Sequence, residues 1–382
     1  MFADATFYAV VAPLLPHYRD ALSLGHLQVA VLFAAHPAGT VVFALPAARL
    51  VSSRGPGAVM TAGLFALGVA AIVFGVSHSY PVLVGCRLVQ GASAALVWCG
   101  GLARLQDAVA PERRGAALGL AGAAAGAGSL AGPGFAALSS LIGIAATLIG
   151  LGALAFALAV ALRLAGESDG GRERAAVASA RSLRRPEVAR PAGVILICGA
   201  VLGAVSTIGP LRLADLGAGV VLIAAAFVGS AIGEVVTSPA AGHLSDRVGR
   251  TAPIRIALLA AVPLLFVIGF ARSIPVAALA MTLSGAAVAV LWPLGTALLS
   301  DRAGRLGRSP AEISAVSIVA WSLGLGGGSM LCGALAGAFG NGPGIAFLAL
   351  PCLLGLALLG GDAKSAEVRL PRLDGRAVNS VN

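Results

Sequence analysis

The stretch Gly242-His-Leu-Ser-Asp-Arg-Val-Gly-Arg250 lies between two long apolar segments and carries the sharpest motif in the chain. Glycine permits the tight backbone reversal that joins two consecutive helices. The aspartate can accept hydrogen bonds from free amides at a helix N-terminus, and the arginines can anchor at a lipid interface. A solvated basic loop is the simpler alternative. The spacing favours a structured turn between two membrane helices.

A weaker copy of this turn, Ala48-Arg-Leu-Val-Ser-Ser-Arg-Gly55, lies 194 positions earlier. We call it the first turn, and Gly242–Arg250 the second turn. The same offset relates Gly91–Trp98 to Gly285–Trp292. One constant offset across separate landmarks indicates an internal repeat. Parallel repeats of six spans are how secondary transporters build two half-bundles around a central site.

The composition identifies the class of protein. Of the 382 residues, 58% are hydrophobic and only 11% are charged, whereas soluble domains carry about 25% charged residues. The apolar residues form runs of about 20, the length of a helix that crosses the hydrocarbon core. We therefore predict an all-α polytopic membrane protein with twelve transmembrane helices in two pseudo-symmetric six-helix bundles.

The predicted organisation has four parts. Residues 1–164 form the first six-helix bundle, 165–190 a polar cytoplasmic linker, 191–361 the second bundle and 362–382 a cytoplasmic tail. Flexible linkers are typically rich in such small and polar residues. The spans are predicted near 2–18, 27–48, 57–77, 81–104, 115–138, 141–163, 192–212, 219–242, 253–271, 275–300, 312–338 and 343–361.

The net charge of +10 would suggest nucleic acid or another anionic partner in a soluble protein. Here nearly all basic residues fall in loops on the side of the N-terminus. The exceptions are Arg19, Arg87, Arg212 and Arg272. This asymmetry follows the positive-inside rule. It predicts a multi-pass protein of the inner (plasma) membrane with both termini cytoplasmic, and it argues against nucleic acid as a partner.

Two ionisable residues, Glu234 and His36, lie inside predicted membrane spans. Glu234 lies in a polar stripe of the eighth span, whose other members follow helical spacing: Ser230, Thr237 and Ser238. Such a stripe indicates an interior face rather than lipid. A buried glutamate could load and release a proton; the alternative is a glutamate satisfied by neighbouring hydroxyls. The repeat position of Ser230 is His36, for which structural hydrogen bonding is the expected role.

The second turn resembles the loop that the major facilitator superfamily carries between helices two and three and again between helices eight and nine. The resemblance implies a cytoplasmic gate built from Gly242, Asp246, Arg247, Gly249 and Arg250. In the first turn the position of Asp246 is taken by Ser52. We therefore expect the gate to depend on Asp246, with Arg302 and the start of helix five as its partners.

The fourth span carries Leu83-x-x-x-Arg87-x-x-Gln90-Gly91, which resembles the fourth-helix motif of the superfamily. An arginine inside a span is costly, so it should face a cavity or a partner. Snorkelling to the outer interface is the alternative. The resemblance implies a link between Arg87 and proton transfer, with Gln90 as a neighbouring cavity residue.

Helix five carries Gly119-x8-Gly128-x3-Gly132-Pro133, which resembles the antiporter motif of drug:proton exchangers, with Ala136 where glycine is usual. Glycines four apart allow close helix contact, and a proline introduces a bend. Close packing alone would also produce Gly-x-x-x-Gly. The full spacing with Gly-Pro favours the antiporter interpretation.

Helix one carries Asp4-x8-Pro13-x2-Pro16, the spacing of drug-exporting and vesicular amine transporters. The resemblance implies that Asp4 lies in the central cavity near substrate or proton. This first span is short, so we expect a start upstream of Met1 or a truncated chain, which would place Asp4 at the cytoplasmic edge. Packing is the expected role of the equivalent residues Trp98 and Trp292.

Taken with the resemblance, these motifs predict a proton-coupled antiporter that exports a small, lipophilic or cationic molecule by alternating access. It would act as a monomer, with the proton gradient in place of a cofactor. A metabolite or sugar exporter, or a symporter of the same fold, is the first alternative. A non-transporting sensor or a membrane-embedded enzyme is the second. No catalytic constellation, phosphate loop or metal cluster occurs in the sequence, and the five cysteines lack metal spacing.

Overall fold

A computed structural model describes residues 1–107, 109, 114–165, 186–304 and 310–367. Within these residues the regular structure is helical throughout. The helices are α1 (Phe2–Ala21), α2 (His26–Arg54), α3 (Pro56–Val76), α4 (Tyr80–Asp107), α5 (Arg114–Ile142), α6 (Ile144–Leu164), α7 (Pro186–Asp215), α8 (Val220–Val248), α9 (Thr251–Phe270), α10 (Ile274–Ala289), α11 (Leu291–Gly304), α12 (Pro310–Phe339), α13 (Asn341–Ala346) and α14 (Ala349–Glu367).

The helices follow the predicted order of spans. Ten helical stretches in the described part of the chain are long and apolar enough to cross a membrane. Helix α1 and the pair formed by α13 and α14 occupy the remaining two positions. Helices α2 and α8 run six residues past the predicted span ends at 48 and 242. The predicted all-α polytopic fold is confirmed.

Two of the predicted spans contain a break in the helix next to a proline. The span 275–300 consists of α10 and α11, which meet at Val290. Pro293 cannot donate a hydrogen bond to the carbonyl of Ala289, and its ring clashes with that carbonyl. The span 343–361 is likewise split into α13 and α14, because Pro351 stands four residues after Phe347 at the break. The helix is interrupted at both places, while the span predicted at 275–300 is confirmed as one apolar stretch, Ile274–Arg302, long enough to cross a membrane.

The predicted linker 165–190 and tail 362–382 lie mostly outside the described residues. Helix α7 begins at Pro186, so the end of the predicted linker is helical. Helix α14 continues to Glu367, past the predicted start of the tail. The remainder of both predictions falls on residues 166–185 and 368–382, which the structure does not describe.

The two turns have the same backbone shape. Gly55 and Gly249 follow α2 and α8 with φ of +87° and +86°, a region that favours glycine because it has no Cβ. Helices α3 and α9 begin within two residues of these glycines. The 194-residue offset is therefore a structural equivalence. We call the end of the bundle that carries both turns the N-terminal face, and the other end the opposite face.

The two halves of the chain are joined near the opposite face. Arg19 at the end of α1 forms an ion pair with Asp215 at the end of α7, with 2.9 Å between Nη1 and Oδ1. Deeper in the bundle, the Ser329 hydroxyl of α12 donates to the Ala30 carbonyl of α2 over 3.3 Å. Gly333 lets the two helices approach closely at the same place, because a Cβ there would overlap that of Ala30. These contacts close the interface between the halves at this end.

Toward the N-terminal face, two facing helices have open surroundings. No residue of α8 from Glu234 to Leu244 is buried, and none of α5 from Gly122 to Ala127. A helix with protein on one side and lipid on the other normally buries one stripe of side chains. The lack of a fully buried stripe in these two segments therefore indicates open space on the protein side as well. We call this space between the halves the cleft.

Candidate functional site

A group of polar side chains lies inside the first half, on α1 and α4. We call Asp4, Arg87, Gln90 and Trp98 the inner polar cluster. Asp4 is 4% exposed, and the Trp98 indole Nε1 donates to its Oδ2 over 3.0 Å. Two expectations are corrected here. Asp4 does not lie at the edge of the bundle, and Trp98 does more than pack, because its N–H binds the carboxylate.

Arg87 is the largest fully buried side chain among the described residues. Its Nη1 donates to Gln90 Oε1 over 2.9 Å, one helical turn further along α4. Its Nε and Nη2, together with Gln90 Nε2, have no hydrogen-bond partner in the part of the protein that the structure describes. Since Arg87 has no exposed surface, it does not snorkel to an interface. It brings a positive charge into the interior of the first half.

Aromatic rings lie beside this cluster. The ring of Tyr8, one turn after Asp4 on α1, is 5.2 Å from the ring of His36 and 5.7 Å from that of Phe33. Arg87 lies within Coulombic range of both Tyr8 and His36. The predicted residues Asp4, Arg87, Gln90 and His36 therefore belong to one neighbourhood formed by α1, α2 and α4.

Glu234 lies apart from that neighbourhood, on α8 of the second half. Its side chain is exposed. Since a helix has 3.6 residues per turn, the side chain of Glu234 points about 40° away from that of Ser230 around the helix axis. It points about 160° away from that of the exposed apolar residue Ile232. Thr237, in the same stripe, donates to the Ala286 carbonyl of α10 over 3.2 Å. Thr237 therefore holds the stripe against α10, and Glu234 is exposed beside it.

The second turn is tied together by Arg250. Its Nη1 donates to Asp246 Oδ1 over 2.9 Å and to Ser245 Oγ over 3.1 Å, and its Nε donates to Asp301 Oδ2 over 3.1 Å. The hydrogen bond to Asp301 is the main reason that the pKa of Arg250 is raised above its ordinary value. These bonds connect α8 and α9 with α11 inside the second half. The sequence did not anticipate Arg250 as a partner of Asp246.

Among the described residues, the first turn has no counterpart of this ion-pair cluster. Ser52 donates its hydroxyl to the Ala48 carbonyl within its own helix. Pro56 occupies the repeat position of Arg250. Of the remaining second-turn residues, Gly242 lies within α8 and Arg247 is exposed near its end. The two turns therefore share a backbone and differ in their electrostatics.

The glycines of helix five face α1. A Cβ at Gly128 would overlap the Phe2 carbonyl, and a Cβ at Gly132 would overlap Ala9 and the Thr6 carbonyl. Pro133 follows inside α5. Gly119 lies in the first turns of this helix, where the side-chain packing is outside the described residues. The motif therefore holds the segment of α1 that carries Asp4 close against α5.

Sequence reasoning missed the ion pair at the opposite face. Arg19 pairs with Asp215, and the Asn341 amide of α13 donates to the same carboxylate. A signal was present, because opposite charges occur near the ends of α1 and α7, two equivalent helices. Hydropathy alone does not say that these two ends meet.

Comparisons with known proteins bear on this arrangement of helices, turns and buried charges. The model of the Major Facilitator Superfamily matches residues 1–214, more than half of the chain. The chain belongs to the major facilitator superfamily. The model of the MFS_1 like family of the same superfamily matches residues 134–349.

Curated members of the superfamily match part of the chain. The MFS-type transporter ppzB of Metarhizium majus is 36% identical over 140 residues, which is 35% of this chain and 30% of that protein. The ppzB protein of Metarhizium rileyi is 33% identical over 138 residues, 35% of this chain and 29% of that protein. The match thus spans less than a third of these relatives.

Solved structures of the superfamily share the whole fold. A bacterial homologue of the human lysosomal transporter Spinster, in an inward-facing and occupied conformation, superposes with a TM-score of 0.78 at 14% identity, covering 95% of this chain and 94% of that one. A point mutant of the nucleoside transporter NupG gives a TM-score of 0.71 at 13% identity, covering 96% of this chain and 97% of that one. At these identities the likeness concerns the fold alone.

Proposed function

We propose that this protein is a secondary transporter that exchanges a small molecule for protons by alternating access. One observation carries the proposal. The interior of the first half contains a carboxylate, Asp4, that keeps one oxygen without a partner among the described residues, and a fully buried Arg87 that is not hydrogen-bonded to it. Charged groups inside a membrane bundle are expensive and are typical of ion and substrate pathways.

Alternating access is supported by the contacts between the halves. They meet at the opposite face through Arg19 and Asp215, and α5 and α8 have open surroundings toward the N-terminal face. This is the arrangement of a transporter open on one side. Closing the cleft would require the halves to rock about their shared interface, which breaks the contacts at the other end.

Proton coupling is assigned to the two embedded acids. Protonation removes the cost of the buried Asp4 carboxylate and removes the charge of the exposed Glu234 carboxylate, and so shifts the balance between conformations. Asp4 is the inner proton site, and Glu234 at the cleft is the second. The positive charge of Arg87 lies within Coulombic range of Asp4 and so influences proton binding by its carboxylate. The antiporter class is further supported by the glycines of α5, which hold α1 in place around Asp4.

The setting of this activity follows from the distribution of charge. Most basic residues in the described part of the chain lie near the N-terminal face, so this face is assigned to the cytoplasm of a cell that carries the protein in its inner (plasma) membrane. A monomer suffices, because both halves of the cleft come from one chain. The cargo is a small molecule, and the proton gradient takes the place of a cofactor.

The test is proton flux in proteoliposomes with an internal pH dye, challenged with lipophilic cations and metabolites. We expect substrate addition to drive proton movement in the opposite direction. Asp4→Asn and Glu234→Gln should each reduce coupled flux about fivefold or more. Glu187→Gln, an exposed acid on α7, should not.

Other outcomes separate the alternatives. Co-directional movement of proton and substrate would identify a symporter. Movement of solute without protons would identify an uncoupled metabolite or sugar carrier. If Glu234→Gln leaves coupled flux unchanged, the role of Glu234 must be dropped. If no solute moves at all, the protein is a sensor or an enzyme and the proposal fails.

A further inference from the structure

Four buried polar atoms of the inner polar cluster have no hydrogen-bond partner among the residues that the structure describes. They are Asp4 Oδ1, Arg87 Nε, Arg87 Nη2 and Gln90 Nε2. All three residues are more than nine-tenths buried. Buried polar atoms are normally satisfied, and a charged group without a partner is the most costly case. The cluster therefore offers one acceptor and three donors to something outside the protein chain.

The remaining atoms of these side chains are held by neutral neighbours. Trp98 binds the other oxygen of Asp4, and Gln90 binds one terminal nitrogen of Arg87. Asp4 and Arg87 lie within Coulombic range of each other without a hydrogen bond between them. The opposite charges of Asp4 and Arg87 thus lie within Coulombic range, and each side chain keeps polar atoms that no described residue binds.

We propose that the inner polar cluster binds a zwitterionic small molecule, with its carboxylate on Arg87 and its ammonium on Asp4. The Nε and Nη2 of a guanidinium form the two-pronged edge that matches both oxygens of a carboxylate. Gln90 Nε2 adds a third donor beside that edge. Asp4 Oδ1 is the acceptor for the ammonium.

Charge balance favours a zwitterion over a singly charged molecule. A zwitterion gives the Asp4 carboxylate and the Arg87 guanidinium one opposite charge each; the α-amino group of Met1 also lies within Coulombic range of Asp4. A simple cation would leave the guanidinium unmatched in a buried site, and a simple anion would leave the carboxylate unmatched. The rings of Tyr8 and His36, 5.2 Å apart, lie within Coulombic range of Arg87 and would contact the rest of the molecule.

This inference rests on the proposed exchange function and deepens it. An ammonium and a proton both bind the carboxylate of Asp4, so only one of them can occupy it at a time. Competition of this kind is what couples the two in an antiporter. The cluster then selects its substrate with Arg87 and exchanges it for a proton at Asp4.

The experiment uses three probes of nearly equal size and different charge: phenylalanine, phenethylamine and 3-phenylpropionate. Binding to the full-length purified protein in nanodiscs is measured by calorimetry. Phenylalanine is expected to bind about tenfold tighter than either singly charged probe, the difference of one charge-assisted pair. Arg87→Gln should remove its advantage over phenethylamine, and Asp4→Asn its advantage over 3-phenylpropionate.

Two further variants keep the result interpretable. Arg87→Lys keeps the charge and loses the two-pronged edge, so the preference for phenylalanine should shrink without vanishing. Ser93→Ala is the control, since Ser93 is buried on the same helix and its hydroxyl bonds the Val89 carbonyl of that helix. It should bind all three probes as the unmodified protein does.

Equal binding of phenylalanine and phenethylamine, or no binding of phenylalanine, overturns the inference. So does a preference for phenylalanine that survives in Arg87→Gln. Failure of the proposed function looks different. If the zwitterion binds as expected but no solute crosses proteoliposomes, transport is refuted and the site stands. If other solutes exchange for protons without zwitterion preference, the site is refuted and transport stands.

Discussion

Arg250 makes the contacts that distinguish the second turn from the first. It donates to an acid in its own turn, Asp246, and to Asp301 at the end of α11. Its guanidinium is only partly covered, so each pair is weak by itself. Together they tie three helices of the second half at the N-terminal face. The serine of the first turn, Ser52, makes a local bond within its own helix.

Because only the second turn is held by ion pairs, substitutions in the two turns should have different effects on transport. Arg250→Gln loses the ion pairs to both Asp246 and Asp301, and we expect a several-fold lower transport rate in proteoliposomes. Asp246→Asn loses one ion pair and should have a smaller effect. Ser52→Ala should leave the rate unchanged. A rate that falls more in Ser52→Ala than in Asp246→Asn would contradict the assignment of the gate to the second turn.

At the scale of helices, the first half depends on close crossings at small residues. A Cβ at Gly91 of α4 would overlap the His36 carbonyl of α2, whereas a Cβ at Gly85 on the same helix would meet nothing within 4 Å. The Thr40 hydroxyl donates to the Gly91 carbonyl at this crossing. This crossing positions His36 beside Tyr8. The distance between α2 and α4 therefore matters for the surroundings of the inner polar cluster as well as for stability.

Alanine substitution at the two glycines separates packing from helix propensity. Gly91→Ala should destabilise the protein by about 1–3 kcal/mol, the usual cost of overpacking. Gly85→Ala should be neutral or stabilising by up to about 1 kcal/mol, because alanine favours the helix. Thermal unfolding in detergent, followed by intrinsic fluorescence, measures both. Equal melting temperatures for the two variants would show that α2 and α4 can move apart without cost.

At the scale of the whole molecule, the two halves are held at the opposite face by a charge pair. Arg19 and Asp215 belong to different halves, and Asn341 also binds Asp215. In the alternating access that we propose, this face must open when the cleft closes. The pair therefore stabilises one conformation at the expense of the other.

Reversing the charges tests this role. Arg19→Asp should favour opening of the opposite face by repulsion from Asp215, and adding Asp215→Arg should restore the original distribution. Spin labels at His78 and Arg272, exposed residues near the opposite face in different halves, report the separation by pulsed electron resonance. The single variant should lengthen this distance and the double variant should not. An unchanged distance in both would refute a gating role for the pair.

Several features of this protein were determined by its sequence. Apolar runs long enough to cross a bilayer specify helices, since lipid offers the backbone no alternative partners. The constant offset between Gly55 and Gly249 specifies a repeat, and both glycines have the same left-handed backbone. The helix breaks next to Pro293 and Pro351 are also encoded locally. These features depend only on neighbours along the chain.

Only the tertiary structure decided which polar groups meet. Trp98 binds Asp4 across 94 positions, and Arg19 reaches Asp215 across 196. Such contacts depend on how each helix is rotated and where it crosses its neighbours. In a chain that is apolar on nearly every face, hydropathy does not specify that rotation, because lipid and protein interior present similar surroundings. Close approach at small residues such as Gly91 and Gly132 sets it instead, and so brings Asp4, Arg87 and Gln90 into one site.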